Sequence, residues 1–134
     1  MYDIIIIGAG PAGMSASLFA ARANKNILVL EASSYGGQII KAHKINNYPT
    51  IPSINGYDFA QSLYNQIKDL GVEIKYERAI KIINNNEYKE VVTKKNSYKT
   101  KSIILATGSN NGMLGLEREK ELTEIGRASC RERV

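Results

Sequence analysis

The stretch from Tyr2 to Glu31 constrains the fold of this chain more than any other. "YDIIIIG" is an uninterrupted, mostly β-branched run closing on Gly8, the pattern of a strand buried on both faces. Pro11 then stands where a helix can begin, because its missing N–H and fixed φ suit the first helical position. "AGMSASLFAARA" is rich in small and helix-forming residues, and Asn24 and Lys25 end that helix. "NILVLEA" is a second buried strand with Glu31 at its tip. Strand, glycine turn, helix and strand in this compass make a βαβ unit, whose crossover is right-handed.

Gly8, Gly10 and Gly13 stand in the G-x-G-x-x-G spacing. Gly8 allows a tight turn off the strand, Gly10 lets the backbone approach a pyrophosphate, and Gly13 lets helix and strand pack closely. The helix start then offers free N–H groups and the positive end of its dipole to phosphates. Glu31 lies eighteen residues beyond Gly13, where its carboxylate can accept hydrogen bonds from a ribose diol and would repel a 2′-phosphate. The glycines alone are a weak signal. Flanked by strand and helix, and answered by an acid at the next strand tip, they predict a dinucleotide site. This pattern leaves NAD and FAD both open.

Residues 32–55 have no clear period and hold many turn formers; a loop this long is often functional. "GYDFAQSLYNQIKDLG" predicts an amphipathic helix with Phe59, Leu63, Ile67 and Leu70 on one face and Gly71 as its stop. "VEIKYE" is a third strand. From Arg78 to Thr100, "AIKII", "YKEVVT" and "SYKT", broken by "NNN" and "KKN", predict an antiparallel meander. "SIILATG" reads as a last buried strand. The expectation is an α/β fold: a Rossmann-like βαβ arrangement with a parallel sheet and an inserted antiparallel β-meander, incomplete as a domain.

The net charge of +5 invites a nucleic-acid reading. Ile125 to Val134 carry three Arg and one Glu, so the remainder is only +3, and its lysines are scattered. No basic stripe interleaved with aromatics exists, so no nucleic-acid partner is expected. No apolar run approaches the roughly 20 residues of a membrane span. The N-terminus lacks the basic flank of a signal peptide. A single cysteine excludes an internal disulfide framework and fits a cytoplasmic protein.

"IIIIGAGPAGMSASLFAARAN", "GGQI", "NNYPTIPSINGYDFAQSLYNQIKDLGVEI" and "IILATGS" resemble the N-terminal half of the FAD domain of bacterial thioredoxin reductases, class II pyridine nucleotide-disulfide oxidoreductases. The resemblance runs from Tyr2 to about Thr123. It implies that Gly8, Gly10, Ala12 and Gly13 lie against the FAD pyrophosphate and that Glu31 holds the adenosine ribose. It places Gly37, Gln38 and Asn47 toward the flavin, Ala79 against the adenine through its backbone, and Thr107 and Gly108 over the nucleotide. In the family, electrons pass from NADPH through FAD to a C-x-x-C pair and on to thioredoxin, and the enzymes are homodimers. The C-x-x-C pair, the NADPH domain and the C-terminal segment that completes the FAD domain all follow the part matched here. The domain is therefore expected over 1–124, with no catalytic residue of its own and no reductase activity.

Three other readings stand beside this one. They are a related flavoenzyme without the C-x-x-C pair, similar to ferredoxin–NADP reductases, a stand-alone nucleotide-binding module, and an NAD-dependent dehydrogenase. The last leaves "GGQ" and "NYP" unexplained. His43, the only histidine, has no partner that spacing identifies and is expected to be a surface polar residue. Tyr35, Tyr48 and Tyr57 wall the long loop or simply pack. No pair or cluster has metal-ligand spacing.

Residues 125–134, "IGRASCRERV", differ from what precedes them. Twelve Lys accompany three Arg before Glu124, whereas the last ten residues have three Arg, no Lys and the only cysteine, Cys130. Laid on the family pattern, Gly126 and Cys130 fall near the glycine and the first cysteine, but Arg133 holds the place of the second. A two-electron dithiol cycle needs both thiols. Read back as codons, ATC GGA AGA GCG TCG TGT AGG GAA AGA GTG looks like a short-read sequencing adapter. The tail is therefore expected to be non-native, and Cys130 an artefact of it.

Overall fold

The computed structural model describes residues 1–110 and 112–122. The segment expected to be non-native, with Cys130, lies outside the described residues. The β-branched run forms β1 (Tyr2–Ile7). Pro11 opens α1 (Pro11–Arg22), and Asn24 leaves the helix at φ 55°. β2 (Ile27–Leu30) follows. The long loop is less irregular than its sequence suggests: it contains a 3-10 helix (Gly37–Lys41) and the isolated bridges Ile45–Ile54 and Tyr48–Ile51. α2 spans Gly56–Asp69, and β3 (Glu73–Lys75), β4 (Ala79–Asn84), β5 (Lys89–Thr93) and β6 (Ser97–Leu105) complete the sheet before the short α3 (Glu119–Leu122).

One six-stranded sheet has the order β3-β2-β1-β6-β5-β4. β1, β2, β3 and β6 run parallel, while β4, β5 and β6 pair antiparallel. The meander and the last strand are not separate. "SYKT" and "SIIL" are one strand, because "YKTKSII" contains no glycine, proline or asparagine to break it. Its first part pairs with β5 and its second with β1, and Thr100 stands in both ladders, opposite Lys89 and Tyr2.

Alternation along β1 feeds two cores. Ile6 joins Ala9, Met14, Val29 and Ile67 under α1 and α2. Ile5 and Ile7 join Leu28, Leu30 and Val91 on the opposite face, with Ala79 and Tyr98 against them. β5 and β4 are two and three strands from β1, yet their side chains pack on β1 and β2. The antiparallel end therefore folds back across the sheet. Each fully buried Ile or Leu contributes roughly 1.5–3 kcal/mol over its exposed state, and burial on both faces explains the apolar β1 and β2.

Asp3 ties the strand starts together: its carboxylate accepts from Asn26 N at 3.0 Å and pairs with Lys101 Nζ at 2.7 Å. Two further expectations fail. Leu70 does not share the buried face of α2, because it is the C-cap where the helix ends before Gly71 turns at φ 75°. The end of β6 is not buried: Leu105 is 66% exposed. Beyond Thr100 no strand lies on the far side of β6 among the described residues. No helix among them is long and apolar enough to cross a membrane.

Candidate cofactor site

The carboxyl ends of β1, β2 and β6 meet at the glycine loop. Gly8 N donates to Leu30 O at 2.8 Å and Ala106 N to Ile7 O at 2.8 Å. Gly8 has φ +107°, and a Cβ there would sit 2.2 Å from Ala106 O. A Cβ at Gly13 would sit 1.8 Å from Gly8 O, so the first turn of α1 rests directly on the end of the strand.

Gly10 is different. Its φ is −76°, and the nearest atom to an added Cβ is Gly37 Cα, at 3.9 Å. Neither conformation nor packing demands glycine at Gly10. The missing side chain leaves open space beside the first turn of α1, which has no side-chain cap and no acidic residue in its first turn. Free N–H groups and the helix dipole face that space. Opposite it, Gly36 (φ +100°) donates its N–H to Ala9 O at 2.7 Å, and Gly37 has φ +62°. Two glycine turns thus face each other, and the backbone forms the floor between them. This cradle fits a diphosphate, which needs N–H donors and close backbone approach.

Glu31 is half-buried at the tip of β2 and aims back at the loop. Its Oε2 accepts from Ala9 N at 2.8 Å and its Oε1 from Ser33 N at 2.9 Å. Each oxygen keeps acceptor capacity for a diol. Its own N–H donates to Lys75 O at 3.0 Å, which joins the tips of β2 and β3. On the other side, Gln38 Nε2 reaches Ser109 O at 3.4 Å and Asn110 Oδ1 at 3.3 Å. This draws the segment after β6, with exposed Thr107 and Gly108, toward the 3-10 helix.

The structure therefore brings together Gly8, Gly10, Gly13, Glu31, Gly37, Gln38, Thr107 and Gly108. Ala12 is exposed on the first turn of α1 and lines a cavity of about 450 Å³ between α1, α2 and the long loop, with Tyr48 and Phe59. Ala79 is half-buried at the start of β4. Asn47 and His43 are exposed on the loop and take no part in these hydrogen bonds. Tyr35 stacks on Tyr64 with ring centroids 4.2 Å apart and donates to Gln61 Oε1 at 2.6 Å. Burial, then the neighbouring Tyr57 and Tyr64, push its hydroxyl pKa up. Tyr76 is half exposed, yet partial desolvation, then the neighbouring Tyr64, Tyr35 and Glu31, push its hydroxyl pKa up too, so both phenols stay protonated donors at neutral pH.

Sequence reasoning passed over Gly56. A Cβ there would lie 1.7 Å from Ile39 O, and its N–H donates to Ala42 O at 2.7 Å. The start of α2 thereby clamps the 3-10 helix that carries Gly37 and Gln38. The "NG" pair was visible as a turn signal, but its partner seventeen residues upstream was not.

Backbone donors, one fixed carboxylate and a polar rim can bind a dinucleotide. Among the described residues no group of three His, Cys, Asp or Glu could hold a metal ion. A thioredoxin reductase of Listeria innocua is 38% identical over 130 residues, 97% of this chain and 41% of that protein. That of Bacillus subtilis is 37% identical over the same length. The chain thus spans about 41% of the length of these curated relatives. The crystal structure of Streptococcus pyogenes thioredoxin reductase superposes with a TM-score of 0.85 at 40% identity, covering 91% of this chain and 40% of that one. A ferredoxin-flavin thioredoxin reductase of Clostridium acetobutylicum superposes with a TM-score of 0.76 at 32% identity, covering 90% and 42%. The sequence profile of the pyridine nucleotide-disulphide oxidoreductases matches residues 2–132, and the chain belongs to that family.

Proposed function

We propose that residues 1–124 are the N-terminal portion of the FAD-binding domain of a thioredoxin-reductase-like flavoprotein, and that 125–134 are a non-native tail. The observation that carries the cofactor reading is Gly10: its side-chain space is empty, faces Gly37 and adjoins an uncapped helix start. On this reading Gly8, Gly10, Ala12 and Gly13 border the pyrophosphate and Glu31 accepts from the ribose hydroxyls. Gly37, Gln38 and Asn47 lie toward the flavin, Ala79 toward the adenine, and Thr107 and Gly108 over the nucleotide. Bound FAD supplies the electron-transfer chemistry; these residues bind, orient and exclude water.

The parent enzyme would take electrons from NADPH and deliver them through a C-x-x-C pair to thioredoxin, as a cytoplasmic homodimer. The ferredoxin-flavin thioredoxin reductase among the similar structures supports a second reading in which ferredoxin is the electron donor. Assaying the full-length parent with NADPH and with reduced ferredoxin separates the two. The family match runs through Cys130, but with Arg133 at the second thiol position the tail supports no dithiol cycle. Resequencing past Thr123 tests the tail: a genome that encodes "IGRASCRERV" would overturn its non-native origin.

The chain itself is expected to bind FAD weakly, because the outer edge of β6 beyond Thr100 and the exposed Leu105 leave the sheet open beside the cradle. Flavin absorbance of the purified chain, followed by FAD titration, tests this. Substoichiometric flavin with saturable binding on addition is expected. Stoichiometric yellow protein would refute weak binding, and no saturation at any FAD concentration would refute the site.

A further inference from the structure

A polar knot at the far side of the Glu31 rim has no part in the cofactor reading so far. Glu77 lies between β3 and β4. Its Oε2 accepts from Thr93 Oγ1 at 2.6 Å, and its Oε1 accepts from Asn96 Nδ2 and the Tyr98 hydroxyl, each at 3.0 Å. Thr93 shapes the β5–β6 turn itself: its N–H donates to Asn96 O at 2.8 Å, and its Oγ1 accepts from Lys95 N at 3.2 Å and Asn96 N at 2.9 Å. Both acceptor sites of that hydroxyl are filled, so it donates, to Glu77 at 2.6 Å rather than to the more distant Asn96 O at 3.1 Å. The Tyr98 ring stands edge-on to Tyr2 at 6.3 Å, with Lys75 Nζ 4.9 Å from its centroid. Side chains from β1, β3, β6 and the β5–β6 turn converge here.

The knot fixes a short piece of backbone. Lys75 O accepts from both Glu31 N, at 3.0 Å, and Glu77 N, at 2.9 Å. The turn carrying Tyr76 and Glu77 therefore starts at the same carbonyl that holds the ribose-side acid, and Ala79 opens β4 two residues later. We propose that Glu77 is a positioning residue for the nucleotide end of the cofactor, anchoring the Tyr76–Ala79 backbone beside Glu31 by tying it to the β5–β6 turn. This rests on the FAD reading of that rim. The charge matters as much as the shape: three donors converge on the two carboxylate oxygens, so in Glu77→Gln the amide N–H would face either the Thr93 oxygen, whose acceptor sites are taken, or the Asn96 Nδ2 donor.

The test is equilibrium titration of the chain with FAD and with ADP, for the unsubstituted protein, Glu77→Gln and Tyr98→Phe. Amide hydrogen exchange is followed at Tyr76–Ala79. Glu77→Gln is expected to weaken FAD and ADP by about tenfold and by the same factor, the loss of one charge-assisted hydrogen bond. The Tyr76–Ala79 amides should exchange faster while those of β1 and α1 do not. Tyr98→Phe keeps the ring and should move both readings the same way by less. ADP affinity and exchange unchanged in both variants, whatever happens to the melting temperature, would overturn the proposal alone. An unsubstituted chain that binds neither FAD nor ADP would overturn the cofactor reading and this inference with it. If Glu77→Gln does not fold, Tyr98→Phe decides by the same two readings.

Discussion

At the scale of single residues, the three glycines of one motif do different work, and substitution separates them. Gly13→Ala drives a methyl into Gly8 O and should cost roughly 1–3 kcal/mol, as overpacking does. Gly10→Ala places the methyl in open space and should cost only about 0.5 kcal/mol at the cap, yet abolish saturable FAD binding. Urea unfolding and FAD titration of both variants check this contrast. The motif was legible because its three glycines keep a fixed local spacing between a strand and a helix, although the atom that requires Gly8, Ala106 O, is distant in sequence. Gly36 and Gly56 were not singled out, since what requires them appears only in the fold: a φ of +100° at Gly36 and Ile39 O against Gly56.

At the scale of elements, local chemistry set the boundaries well. Asn55 precedes α2 and accepts from Asp58 N at 2.8 Å, the capping its type and position suggest. Asn55→Ala should lower stability by about 1 kcal/mol, read as a shift in the urea midpoint at unchanged slope. Sequence reasoning erred where a strand changes partners. Nothing in "SYKTKSIIL" tells that one half answers β5 and the other β1, because pairing is set by register with distant segments. The same change of partner exposes Leu105, which composition alone placed in the core.

At the scale of the whole molecule, the fold-back that packs β4 and β5 side chains on β1 and β2 was illegible, since it rests on contacts between segments far apart in sequence. Acidic groups across the fold give it a pH signature. Asp3 is held below the usual carboxylate range by its hydrogen bond to Lys101 and then by Asn26 N, and Glu77 by Thr93, then Tyr98 and Asn96, against desolvation. Groups lowered on folding stabilise above their unfolded pKa, near 4, and that contribution is lost as pH falls through the folded value. Melting temperature should therefore be level near neutrality and drop below about pH 4. Asp3→Asn should melt lower at pH 7 and show a shallower acid drop.

The double pairing of β6 also bears on how the chain is made. Synthesis delivers β1, α1 and β2 first, but one flank of β1 finds its neighbour only when the Thr100–Leu105 stretch has emerged, from the other end of the described chain. Until then the nascent βαβ unit carries an apolar, unpaired strand edge, the kind of surface that joins wrongly to other chains. The β4–β5–β6 hairpins close over short separations and are expected to pair early, though their apolar face is covered only by β1 and β2. Once they have, the second half of β6 is already extended and ready to zip onto β1, so the meander guides the last strand home.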